Sequence, residues 1–238
     1  MDDISIILEE ASFIVLNKPT GLLSQSTYGV DSLLFRIRAH LKTRDGSDRE
    51  PFIELPHRLD RGTSGVLLAA KTKSALSCLS QQFHSRKTTK SYLVAVQGHP
   101  TESHGTWTDW MRKIPDLSRA EIVAEDSEGS RQATLDYEQI YRDETNSIAR
   151  VALKTGRMHQ IRLQFASRGM PVLGDQAYGS SVPWSPPFRH EHDEHFALHA
   201  HWLAFRHPKD GREIRVEAPL PEAWHERFPS ECLGEFKK

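Results

Sequence analysis

Two cysteines, Cys78 and Cys232, are all that the 238 residues contain. Two thiols cannot build a disulfide framework, and their separation gives no zinc-ribbon spacing, so a cytoplasmic protein with reduced thiols is expected. Long hydrophobic runs are missing too. None approaches the ~20 apolar residues of a membrane helix, so no membrane partner is expected. The opening MDDISIILEEASF is acidic and lacks the basic start and small-residue cleavage site of a secretory signal. There is no P-loop and no GxGxxG after a strand, which leaves nucleotide and dinucleotide cofactors without a signal. Nor is there an excess of one charge. With 31 Lys and Arg against 32 Asp and Glu the formal net charge is −1, which excludes a polycation that holds nucleic acid by total charge alone.

What is present is an uneven distribution. From Arg58 to Lys90 the charged residues are Arg58, Asp60, Arg61, Lys71, Lys73, Arg86, Lys87 and Lys90, with Asp60 the lone carboxylate. Acidic residues gather elsewhere, in AEDSEG and YRDETN. A basic middle with acidic flanks fits a polyanion on one face, and equally a solvated face of lysines.

Hydrophobic periodicity places the elements. FIVLNKPTGLLSQ reads as a strand from Phe13 to Leu16 ended by Pro19 and Gly21. Asp31 is the expected N-cap of a helix over SLLFRIRAHLK. SGVLLAAK has strand length, and KSALSCLSQQFHSRK puts Ala75, Leu76, Leu79 and Phe83 at helical spacing. KSYLVAVQG alternates Tyr92, Val94 and Val96 on one face. QATLDYEQIY and SIARVALK are further strands, and RMHQIRLQFASRG a helix stopped at Gly169. HFALHAHWLAFRHP and REIRVEAPLP are the last strands, before a polar tail. YGSSVPWSPPFRHEHDEH reads as a long exposed loop. Strands outnumber helices without strict alternation, so the expected class is α+β with a mixed, largely antiparallel sheet. With no internal repeat and no linker, residues 1–238 are expected to be one domain.

Several constellations compete for the chemistry. GTSG is not the GxSxG of a nucleophile elbow, and Ser64 has no assigned base. Of the 13 histidines, His190, His192, His195, His199 and His201 crowd one segment, but without HExxH or a cysteine partner they read as loop and core histidines, not as a metal site. No pair of carboxylates reads as a glycosidase couple. Asp175, after Gly174, reads as a turn aspartate capping backbone amides. Asp60 is different. A carboxylate beside an apolar run is costly to bury without a cation. Arg58 can share its side, Arg61 faces elsewhere, and Arg157 or Arg162 of GRMHQIR could reach it from a distance. A nucleophilic carboxylate and a structural ion pair both satisfy this pattern.

Taken together, these segments resemble the RluA-type RNA pseudouridine synthases. The resemblance rests on FIVLNKPTGLLSQ, HRLDRGTSGVLLAAKT, KSYLVAVQG and TGRMHQIRLQFASRGMPVLGDQAYG, with LHAHWLAFRHP as a weaker closing element. They run in family order from about Phe13 to Pro208. The resemblance implies a bent, mostly antiparallel sheet with helices and a central cleft. It implies isomerisation of uridine in tRNA or ribosomal RNA to pseudouridine, without metal or organic cofactor. A monomer is the default expectation, and with about a dozen residues before the first block no N-terminal S4-type domain is expected. Asp60 would be the catalytic carboxylate, Arg162 its ion-pair partner, and Tyr92 the ring packed on the target base. Arg58, Arg61, Lys90 and Arg157 would face RNA, Arg58 helping to displace the base.

One position departs from the pattern. Gln164 stands where the family often has histidine; a polar residue is kept, so at most altered substrate contacts, and no loss of catalysis, are expected there. The segment WTDWMRKIPDLSR mixes Trp107, Trp110, Arg112 and Lys113, and core packing of the tryptophans is weighed above RNA contact. A contrasting reading is a non-catalytic RNA-binding or ribosome-assembly module on the same fold. A metal-dependent hydrolase, which chelators would disable, stands third.

Overall fold

The computed structural model describes residues 4–25, 30–184 and 195–233. In chain order its elements are β1 (Ile6–Glu9), β2 (Phe13–Lys18), α1 (Leu33–Arg44), β3 (Ser64–Ala70), α2 (Lys73–His84), β4 (Thr89–Gln97), β5 (His104–Lys113), β6 (Ala120–Ile122), β7 (Arg131–Arg142), β8 (Asn146–Leu153), α3 (Gln160–Ala166), β9 (Leu198–Arg206), β10 (Glu213–Glu217) and α4 (Glu222–Arg227). This is the α+β arrangement that the sequence implies. The chain falls into two compact units, Met1–Lys90 with Ala200–Pro219 and Ser91–His199 with Leu220–Lys238.

In the first unit β2 lies antiparallel between β1 and β3, with Phe13 opposite Ala70 and Lys18 opposite Gly65. β10 pairs antiparallel with β9, Ile214 opposite Phe205. Alternate residues Phe13, Val15, Val66 and Leu68 join Leu203, Phe205, Ile214 and Val216 in one apolar cluster, closed by Ala75 and Leu79 of α2. Burial of a side chain such as Leu79 stabilises by ~1.5–3 kcal/mol, so this face anchors the helix. At Gly65, φ is 109° and an added Cβ would collide with the backbone of Ala200. Only glycine serves there.

The cap of α1 corrects the expectation. Ser32, not Asp31, is the N-cap, and its Oγ accepts the Phe35 N–H at 3.2 Å. A bridge between Leu23 and Ser32, with the Leu33 N–H bonded to the Leu23 carbonyl, fixes Ser32 in extended backbone, the conformation a cap requires. Asp31 instead grips Arg36 at 2.6 Å.

In the second unit the strands lie in the order β4-β8-β7-β5-β6, with antiparallel registers. β4 is buried from Ser91 to Val96 without a break, so both its faces are covered and the alternation of Tyr92, Val94 and Val96 does not mark a solvent side. The WTDWMRKIPDLSR segment supplies the later part of β5 and the turn that leads into β6. Trp107, half-buried, packs on Tyr137 (4.2 Å between centroids) and Phe165 (4.7 Å), and Trp110 is half-buried as well. The tail read as polar forms α4, whose Trp224 is 1% exposed and stacks edge-on to Trp184. Of the His-rich segment, His190 and His192 lie outside the described residues, and His199 is fully buried on β9.

Candidate active site

The loop that carries Asp60 is held by the turn after β2. Proline at position 19 cannot continue the ladder, so the chain leaves the strand there with Lys18 pointing inward, 0% exposed. Its ammonium donates to the carbonyls of Pro19 (2.8 Å), Leu22 (2.6 Å) and Arg61 (2.9 Å). A buried cation is tolerable only when its donors are matched, and an ammonium has three. Thr20 Oγ1 donates to the Gly62 carbonyl at 2.8 Å. Ser24 Oγ donates to the Leu59 carbonyl (2.7 Å) and accepts from the Leu59 N–H (3.0 Å). Arg61 Nε–H donates to the Gly21 carbonyl at 3.0 Å, so this guanidinium tethers the loop. The Thr63 N–H closes the turn onto the Asp60 carbonyl at 3.1 Å. Asp60, half-buried, therefore stands on backbone fixed on both sides.

His57, at the head of the same stretch, has a structural role. Its Nε2 accepts the Leu68 N–H at 3.1 Å, which places the ring proton on Nδ1. The ring stacks on Phe83 with centroids 4.4 Å apart. Burial, and secondarily the charge of Lys90, lowers its pKa to about 3, so it is neutral. Lys90 Nζ lies 5.7 Å from the centre of the Phe83 ring, and burial pulls its own pKa below the usual lysine range. Arg58 is exposed.

In the second unit, Tyr92 is on β4 opposite Val151 and 8% exposed. Helix α3 begins at His159 in the left-handed region (φ 54°), with its Nδ1 3.0 Å from the Tyr178 hydroxyl. Arg162 forks onto Asp175, Nε to Oδ2 at 2.6 Å and Nη2 to Oδ1 at 2.9 Å, both side chains 1% exposed. The guanidinium also lies over Phe196 (4.4 Å) and Tyr178 (5.0 Å). Asp175 thus makes a buried ion pair in place of the expected amide cap. Deleting one partner of such a pair costs ~3–5 kcal/mol, because the other charge is stranded. Arg157 Nε–H donates to the Gln132 carbonyl at 2.9 Å. Gln164 is fully buried, its amide donating to Asp109 Oδ2 at 2.6 Å and accepting from Gln160 at 3.0 Å. The Gln164 side chain is thus committed to an internal network. Among the described residues no three His, Cys, Asp or Glu gather as metal ligands.

The roles of Lys18, Ser24 and Asp175 escape sequence reasoning. The Asn-Lys-Pro turn flagged Lys18 as part of a motif, but its partners are carbonyls, which no sequence letter announces.

Known proteins resemble this chain over most of its length. The profile described as RNA pseudouridylate synthase matches residues 12–167. The dual-specificity RNA pseudouridine synthase RluA of Escherichia coli is 34% identical over 221 residues, covering 90% of this chain and 92% of that one. The ribosomal large subunit pseudouridine synthase C of Buchnera aphidicola is 31% identical over 223 residues, 90% of this chain and 67% of that one. Among solved structures, the human RNA pseudouridylate synthase domain containing 4 superposes with a TM-score of 0.74 over 93% of this chain and 92% of that one, at 22% identity. Its domain containing 1 counterpart gives 0.70 over 92% and 84%, at 27% identity.

Proposed function

The chain belongs to the RNA pseudouridylate synthase family as an enzyme that isomerises uridine in RNA, and we propose that Asp60 is its catalytic carboxylate, acting with Tyr92 and Arg162 on tRNA or ribosomal RNA. The observation that carries the assignment is the Asp60 loop. Its backbone is pinned by Lys18, Thr20 and Ser24, while the Asp60 side chain stays half-buried. Positioned carboxylates of this kind act without reorganising at the moment of reaction.

The reaction breaks the N1–C1′ bond, turns the uracil and joins C5 to C1′. A target base in paired RNA must first leave the stack, at a cost of a few kcal/mol. Stacking on Tyr92 returns ~1–3 kcal/mol. Arg58, exposed and planar, fills the vacated place and meets phosphates, with Arg61, Lys90 and Arg157 adding positive charge. Arg162, its orientation preset by Asp175, keeps the reacting carboxylate ionised. The enzyme works as a cytoplasmic monomer with a single catalytic domain and needs no metal or organic cofactor.

The test uses unmodified transcripts of tRNA and large-subunit ribosomal RNA, with pseudouridine read by nucleoside mass spectrometry. Asp60→Asn should lower turnover by ~10³-fold or more, with the melting temperature and RNA affinity close to wild type. Turnover that survives the substitution sinks the assignment. Wild-type protein that binds RNA without ever forming pseudouridine would reduce the chain to a binding module.

A further inference from the structure

Helix α2 ends on an unusual residue. After its last turn the Arg86 N–H bonds to the Phe83 carbonyl (3.2 Å) and the Lys87 N–H to the Gln82 carbonyl (2.9 Å), the hydrogen-bond pattern of a Schellman end. That pattern needs a residue at positive φ, and Arg86 takes it at 57°. Helix α1 ends by the same pattern, Gly46 N–H to Thr43 and Ser47 N–H to Lys42, with glycine at φ 58°. Helix α3 is followed by Gly169 at φ 76°. A side chain at this φ brings Cβ against the following carbonyl oxygen, so arginine there costs stability that glycine would not. The Arg86 side chain returns none of it inside the protein. It is exposed, and no carboxylate lies within 4.0 Å of it among the described residues.

Its neighbours share that condition. Among the described residues Lys73, Lys87, Lys90 and Arg58 likewise have no carboxylate partner, whereas Arg36, Arg38, Lys42 and Arg44 of α1 are all paired. Arg86 is also tied to the Asp60 loop. Phe83, one turn earlier, stacks on His57, next in sequence to Arg58. The unneutralised cations thus lie on one support, within one unit.

We propose that Arg86 and Lys87 form a phosphate-contact ridge, continuous with Arg58, that holds the RNA backbone flanking the target uridine. The proposal rests on the family reading above and adds residues to it. Guanidinium and ammonium groups without internal partners release counterions when they meet phosphates, and each such contact steepens the salt dependence of binding. Strain retained at an exposed cation suits a residue whose contact lies outside the chain.

The experiment compares wild type, Arg86→Gly with Lys87→Ala, and Lys42→Ala as a charge control, binding the same unmodified transcripts across a salt series. The double variant should bind ~10-fold more weakly at 0.1 M salt, with the slope of log affinity against log salt shallower by about 1–2. Its melting temperature should not fall, since glycine relieves the backbone, and single-turnover pseudouridine formation at saturating RNA should be unchanged. Lys42→Ala should leave affinity and slope alone. Wild-type turnover combined with an unaltered slope in the double variant overturns the ridge and leaves the family reading intact. A lowered melting temperature that accounts for the lost binding also overturns it, by making Arg86 structural. Loss of affinity and slope in a protein that never forms pseudouridine supports the ridge and overturns the reading of turnover.

Discussion

Helices α1 and α2 follow one plan and differ in what they do with charge. Each runs for 12 residues from a hydroxyl cap, Ser32 or Thr72, that accepts the N–H three positions on. Each buries a leucine deep in the first unit, Leu41 at 2% exposure and Leu79 at 0%. Around α1 every cation of the helix meets a carboxylate: Arg36 with Asp31, Arg38 with Glu54, Lys42 with Glu50, and Arg44 with Glu9 and Asp45. Around α2, Lys73 and the terminal pair Arg86 and Lys87 meet none among the described residues, and the glycine slot holds arginine. Propensity and packing would build both helices alike. The difference lies in charge: α1 commits its cations to internal pairs, and the proposed ridge at the end of α2 would commit its own to RNA.

The comparison can be broken first at the core. Leu41→Ala and Leu79→Ala should each cost ~2–5 kcal/mol and similar amounts, measured by urea denaturation. A much smaller loss at Leu79 would mean that α2 is not anchored as α1 is. The helix ends give the next effect, of opposite sign. Gly46→Arg should destabilise by about 1 kcal/mol, because a Cβ there meets nothing within 4 Å and the cost is backbone alone. Arg86→Gly should stabilise by up to about 1 kcal/mol, lessened by the greater freedom of glycine in the unfolded chain. Equal signs in calorimetry would refute the claim that Arg86 is strained.

The smallest effect concerns Glu9, which binds Arg44 of α1 at 2.6 Å and Lys71, just before α2, at 2.6 Å. The Arg44 hydrogen bond, with Lys71 helping, lowers its pKa from 4.5 to about 2. A depressed carboxylate contributes stability that is complete above about pH 4.5 and is lost as the pH falls toward 2. The pair is near the surface, so the contribution is ~1 kcal/mol or less. The stability gap between wild type and Glu9→Gln should therefore close across that window in acid denaturation. A gap independent of pH would show that the carboxylate charge is not what holds Arg44.

Much of this was legible beforehand because it lives in local pattern. Short apolar runs marked β2 and β3, alternation marked β4, strand-like segments marked β7, β8, β9 and β10, and the helical spacing of Ala75, Leu79 and Phe83 marked α2. The ordered blocks around Asp60, Tyr92 and Arg162 were enough to indicate the family, since family blocks are themselves sequence. Strands β1, β5 and β6 and helix α4 were not legible. β5 alternates exposed and half-buried residues with no clear apolar face, and α4 is 6 residues long, too short for periodicity to show.

Tertiary structure decided where partners are backbone or far apart along the chain. It chose Ser32 over Asp31 as the cap, because a bridge to Leu23 set the backbone of Ser32 and side-chain preference could not. It gave Asp175 to Arg162, 13 residues away, when the sequence offered only a turn. It put Lys18 beneath the Asp60 loop, on three carbonyls that every residue type carries and that composition cannot distinguish. It also showed that Arg86 occupies a left-handed slot. The sequence determined which groups could do chemistry. Only the fold decided which of them are held still, which are neutralised, and which are left charged and facing outward.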